Sequence, residues 1–202
     1  MSEPLVISGP TLVLRYADPG DAQALFELGS DEETTRYMSW GPYRRLSDAE
    51  GFIAGVPGRR ERGEELGFLV TRGGELLGHI AFMEPRPRDR SVVIGTWLHR
   101  DHWGTGVNTE AKAIMAALAF RRMGVERLSV YASVTNERSR AALAKVGFKE
   151  EGVLRRFHLH GDQWHDLAIG SILADEYESG PLAEVPVEIS GEVPPNWRYG
   201  DR

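Results

Sequence analysis

Two glycines one residue apart, Gly104 and Gly106, stand in "HRDHWGTGVNTEAKAIMAALAF" (residues 99–120), where a polar run gives way to a helix pattern. The free N–H groups and positive dipole end of a helix start receive phosphate oxygens, and glycine lets backbone and ligand approach closely. Taken alone, the pair fits a tight strand-to-helix turn equally well. Two common phosphate loops fit badly: no Gly-Lys-Ser/Thr ending follows, and Thr109 stands where the dinucleotide fingerprint wants a third small residue, with Glu126 preceding a strand. The other groups able to do chemistry are the imidazole pairs His99/His102 and His158/His160, the Ser139 hydroxyl, the Asn136 amide and the Glu110 and Asp166 carboxylates. The chain has no cysteine, which excludes thiol nucleophiles, disulfides and zinc-thiolate sites. Neither histidine pair has a third ligand at metal-site spacing, so no metal is expected.

Those residues need elements to hold them. "TLVLRY" alternates as a strand, and Asp18 with Pro19 opens a helix. Ser47 and Glu50 have capping-box spacing ahead of a second helix with Phe52, Ile53 and Val56 on one face. "LGFLVT", "RGG" and "ELLGHIAFM" read as a hairpin. "SVVIGTWL" is a strand running straight into the glycine pair, after which Val107, Ala111, Ile114, Met115 and Leu118 recur at helical spacing. "RLSVYASV" is a strand, "NERSRAALAKVGF" a helix stopped by Gly147, and "GVLRRFHLHGDQWHDLAIGSIL" a closing hairpin turning near Gly161 and Asp162. Strands interleaved with helices, hairpins dominating, predict an α/β (α+β) sandwich with a mostly antiparallel sheet. One domain over residues 1–178 is expected, followed by a Pro/Glu-rich extended tail over 179–202.

The net charge of -6 is unevenly placed: residues 170–202 hold seven acidic and two basic side chains, so the body is nearly neutral. That surface lacks the basic footprint of a nucleic-acid binder. No basic leader precedes an apolar core, and "AIMAALAF" is too short to span a bilayer, so neither export nor a membrane span is expected and the cytoplasm is the expected location.

In order, "SVVIGTWL", "HWGTGVNTEAK", "RLSVYASV", "TNERS" and "KVGF" resemble the Gcn5-related N-acetyltransferase superfamily, closest to its RimJ/RimL-like branch, over about residues 11–173. The resemblance implies a GNAT fold and an acyl-coenzyme A ligand, acetyl-CoA or another short acyl donor. Its diphosphate would take N–H groups from Trp103, Gly104, Thr105, Gly106 and Val107, and its pantetheine would pair with the backbone of Trp97 and Leu98. The superfamily usually starts this loop with Gln or Arg where Asp101 stands; Asp101 must then point away, and Arg100 is the expected counter-charge.

The implied reaction moves an acyl group from a thioester to a primary amine, of a protein N-terminus or a small molecule. It needs a base for the ammonium, donors for the oxyanion and a hydroxyl for the leaving thiolate. Many members place a Tyr where this chain has Leu143. The RimJ/RimL-like branch carries a Ser three residues after the Asn, so Ser139 would meet the sulfur and Asn136 the pantetheine; helix capping is the plain alternative for both. His158 matches the position of a catalytic carboxylate in ribosomal-protein-acetylating relatives and is the expected base. Asp166, a substrate-binding candidate, and Glu110 are its backups. The loop around Trp40 and Tyr43 would line the acceptor site, or cover the sheet as plain packing. A homodimer stays open, and the competing reading is a binding module that holds acyl-coenzyme A without turning it over.

Overall fold

The computed structural model describes residues 4–160 and 162–200. In chain order the elements are strands β1 (Val6–Ser8) and β2 (Val13–Arg15), helices α1 (Ala22–Gly29), α2 (Glu32–Thr35) and α3 (Leu46–Glu61), and strands β3 (Glu65–Arg72), β4 (Glu75–Arg86) and β5 (Ser91–Leu98). There follow α4 (Val107–Leu118), β6 (Arg127–Ser133), α5 (Glu137–Lys145), β7 (Lys149–His160), β8 (Gln163–Leu173), α6 (Ala174–Glu178) and β9 (Glu188–Ser190). The strands form one sheet in the order β7-β8-β6-β5-β4-β3-β2-β1-β9.

Every neighbouring pair is antiparallel except β5 and β6, which run parallel and pair only over Ser91–Val93 against Arg127–Ser129. Beyond Val93, β5 stays paired to β4 as far as Leu98, and beyond Ser129, β6 stays paired to β8 as far as Ser133. Each strand thus follows its own neighbour, and the sheet splits into a wedge between their C-terminal halves. Backbone groups lining such a split lack ladder partners and need others.

Side-chain alternation along β5 gives the sheet two unlike faces. Val92, Ile94 and Leu98 enter the larger core beneath α4, while Trp97 joins a smaller cluster with Leu25 of α1 and Ile53 of α3. Helix α4 is buried almost all round, Ala113, Ala116 and Ala117 as completely as Ile114 and Met115.

Asp18 caps a single 3-10 turn at Pro19–Asp21, from which α1 continues. The expected Ser47/Glu50 box lies elsewhere: α3 starts two residues earlier, with Arg45 as N-cap, and Asp48 accepts the Arg44 and Arg45 amides at 2.8 and 3.0 Å. Gly161 of the expected hairpin turn lies outside the described residues, although the register of β7 and β8 closes at His160 against Gln163.

The segment after residue 178, expected as an extended tail, packs against the body. β9 pairs with β1, and Val193, Trp197 and Tyr199 enter the larger core. The Tyr199 amide donates to the Met123 carbonyl, and the Trp197 indole N–H to that of Arg60. The spacing of Pro and Glu hides four apolar residues, Leu182, Val193, Trp197 and Tyr199, that enter the larger core.

Candidate active site

The glycine loop lies at the mouth of the wedge. Gly104 and Gly106 have φ of 75° and 90°, a left-handed region that costs other residues strain, and nothing stands within 4 Å of where a Cβ would sit at either. Protein crowding therefore does not demand glycine here; the left-handed backbone conformation does, and the space above it is open. No side chain caps α4. Its first backbone-paired amide is that of Glu110, which donates to the Gly106 carbonyl at 3.0 Å. Earlier amides of the first turn face an exposed loop, as an anion cradle requires. The Thr105 hydroxyl donates back to the His102 carbonyl at 2.7 Å and fixes the loop.

The His99 amide donates to the Leu77 carbonyl, so the backbone groups of His99 and, two residues earlier, Trp97 turn toward β4. Those of Leu98 and Thr96 consequently face the wedge. This corrects the expectation for Trp97, whose backbone is spent within the sheet while its indole lies on the α1/α3 face. There Trp40 meets it edge-on with ring centroids 5.1 Å apart, and Tyr43 lies 5.1 Å from Trp40. Tyr43 rests on Gly29 and is pushed up to about 12 by burial.

Trp103 ties the two walls together. Its indole N–H donates to the Leu98 carbonyl at 2.8 Å, and the Arg138 guanidinium lies 3.4 Å above its ring. Arg138 sits in the first turn of α5, so Asn136 and Ser139 are brought beside the loop. The Asn136 side chain accepts the Ser139 amide at 3.1 Å, which makes it the cap of α5. Leu143 is buried in the core.

His158 stands apart from this strip, across the end of β6. With His160, His165, Ser133, Leu167, Arg36 and Tyr37 it lines a cleft of about 10 Å³, room for one water. Burial first, then His165 and His160, lower its pKa from the ordinary imidazole value. Among the described residues no group of three or more His, Asp or Glu side chains could hold a metal ion.

Both carboxylates named as backups are committed elsewhere. Asp166 accepts the Arg156 amide at 2.7 Å, where Arg156 has φ of 49° at a bulge of β7. Glu110 binds the β1/β2 turn: Oε1 accepts the Thr11 and Leu12 amides at 2.6 and 2.8 Å, and Oε2 the Thr11 hydroxyl at 2.7 Å. At the loop start, Asp101 lies beside His99 and Arg100, and Arg100 also faces Asp31 at 3.4 Å. The expected counter-charge is therefore already compensated.

Sequence reasoning passed over Lys112. This buried residue of α4 donates to Thr96 Oγ1 at 2.9 Å and Asn108 Oδ1 at 3.1 Å, and burial pushes it down to about 8. A lysine inside an otherwise apolar helix run was the available signal.

A mixed sheet split between its two parallel strands, with an uncapped, glycine-led helix start at the mouth of the split, defines the acetyltransferase class of α/β enzymes. The family described as "Acetyltransferase (GNAT) domain" matches residues 11–149, more than half of the chain, and the chain belongs to that family. It is 28% identical over 170 residues to the N-acetyltransferase YoaA of Bacillus subtilis, covering 83% of this chain and 96% of that one. It is 22% identical to the ribosomal-protein-serine acetyltransferase of Escherichia coli, over 87% and 99% of the two chains. Mycobacterium smegmatis RimJ, solved with a CoA-disulfide, superposes with a TM-score of 0.76 at 25% identity, over 90% of each chain.

Proposed function

We propose that this acetyltransferase uses acyl-coenzyme A, acetyl-CoA in the first place, and passes the acyl group directly to a primary amine of a protein N-terminus or a small molecule. The observation that carries this reading is the wedge: unpaired β5 and β6 edges meet an uncapped helix start, a site for a carrier that is amide-bearing along its length and anionic at its end. The residues fit such a carrier, because the space above Gly104 and Gly106 is open. The carrier supplies an activated thioester carbonyl; the chain supplies position, a base and a hydroxyl.

In this reading the amides from Trp103 to Val107 bind the diphosphate, and the wedge-facing groups of Thr96 and the Leu98 amide, whose carbonyl is taken by the Trp103 indole, pair with the arm. Ser139 hydrogen-bonds the sulfur as it leaves. His158, uncharged at neutral pH because its pKa is lowered, accepts the ammonium proton through the single water its cleft admits. Trp40 and Tyr43 shape the acceptor approach beside Trp97. With no thiol available to form an acyl-enzyme, direct transfer is the economical route. The cytoplasm suits a chain without cysteine. Val153, Phe157 and Leu159, exposed on the edge strand β7, give a homodimer its surface.

A panel of amines with acetyl-CoA should release free thiol and yield N-acetyl products by mass spectrometry. Coenzyme A binding with no turnover across peptides and small amines would instead select a non-catalytic sensor or scaffold. That second reading draws on one observation, the use of Asn136 and the Ser139 amide as a helix cap.

A further inference from the structure

Among the cations around the glycine loop, Arg100 is compensated by Asp31 and Asp101, which leaves the diphosphate proposed above without the counter-charge expected for it. Two cations near the cradle have no carboxylate within salt-bridge reach among the described residues. Lys112 is buried, and its side chain runs one turn back along α4 to Asn108 in the helix's first turn, so its ammonium lies behind the cradle amides. Its two oxygen partners, Thr96 Oγ1 and Asn108 Oδ1, are both neutral. Arg138 lies over Trp103, on the opposite wall of the wedge. A buried ammonium near the positive end of a helix dipole is doubly disfavoured unless an anion completes the site.

We infer that Lys112 from within and Arg138 from above are the counter-charges of the coenzyme's diphosphate, a role that rests on the acyl-coenzyme A reading. Binding of the anion then stabilises the charged form of Lys112 and draws a proton into the protein. Other charged groups cannot take this part. Glu110 of the same helix is held by Thr11 and Leu12; on the loop, His99 and Arg100 face Asp101, and His102 lies 3.9 Å from Glu75. Thr96 is the β5 residue that meets the ammonium. Since Lys112 in the free protein titrates near 8, coenzyme A affinity should fall as pH rises through that value.

Titration calorimetry with coenzyme A and with pantetheine, which lacks the diphosphate, tests this. Lys112→Met and Arg138→Gln should each weaken coenzyme A binding about tenfold, the worth of one charge-assisted hydrogen bond, and leave pantetheine binding unchanged. Lys112→Met should also abolish the affinity change between about pH 7 and 9. Lys112→Gln, which can keep bonds to Thr96 and Asn108 without the charge, separates charge from packing and should behave as Lys112→Met does. Wild-type affinity for coenzyme A in Lys112→Gln, or equal losses for pantetheine and coenzyme A, overturns the inference. Absence of coenzyme A binding by the wild type overturns it together with the acyl-coenzyme A reading, whereas wild-type binding with unaffected variants overturns the counter-charge role alone.

Discussion

Glu110 of α4 holds Thr11 of the β1/β2 turn with both carboxylate oxygens, Oε1 on its amide and Oε2 on its hydroxyl. The contact joins the cradle helix to a turn 99 residues earlier in the chain. A carboxylate so engaged serves architecture. Glu110→Ala should lower stability by about 2 kcal/mol, as expected for lost charge-assisted hydrogen bonds, while kcat of the folded enzyme stays within about twofold. Urea titration and initial rates measured below the unfolding midpoint check both halves.

His158 has the opposite expected profile. Its replacement by Ala should leave the urea midpoint nearly unchanged and lower kcat by about 10²-fold or more, the usual range for a general base. Because burial and two neighbouring imidazoles lower its pKa, the acidic limb of the wild-type kcat/KM profile should turn below about 6.5, the unperturbed imidazole value. A turn above that value, or retention of the limb in His158→Ala, would assign the proton to another group.

A different histidine should govern acid stability. His79 of β4 is buried against Phe52 with its Nε2 3.5 Å from Glu65 Oε1, and burial, then the charge of Arg59, pushes its pKa down to about 3. The unfolded chain binds a proton at this imidazole from about pH 6.5, the folded chain only near 3. The full contribution is present above the unfolded value and is lost as pH falls, with a slope of about 1.4 kcal/mol per pH unit. His79→Phe should flatten that part of the stability curve between pH 6 and 4 in denaturant titrations, limits chosen to lie inside the window.

Trp103 should report occupancy of the site. It lies between the Leu98 carbonyl and Arg138, so a ligand entering the wedge alters both neighbours of the indole. Coenzyme A should change tryptophan emission in the wild type, and Trp103→Phe should remove most of that change and cost about 1 kcal/mol of stability for the lost hydrogen bond. An unaltered emission change in Trp103→Phe would place the ligand away from this loop.

Much of the architecture was legible because it rests on local signals. β5 and β6 were readable from apolar alternation, and the α5 stop at Gly147 from a residue with φ of 99°. The glycine pair was readable for the same reason. What escaped depended on partners distant in sequence. β1 and β9 are three residues each, β9 defined only by its pairing with β1, and β1 by β2 and β9 on its two sides. Lys112 reads as a solvated side chain until α4 is known to be buried almost all round. Asp166 and Glu110 looked free for chemistry because nothing in the spacing reveals that a bulge and a turn claim them. The backbone of Trp97 was misdirected by one residue, since only the register with β4 decides which edge of β5 a carbonyl faces.

Trp197 and Leu5 share one apolar core although nearly the whole chain lies between them. On a ribosome that makes and extrudes the N-terminal end first, the first strand must wait for β9 before its outer edge is covered. During synthesis the sheet therefore offers an uncovered rim until the late, acidic segment emerges and docks.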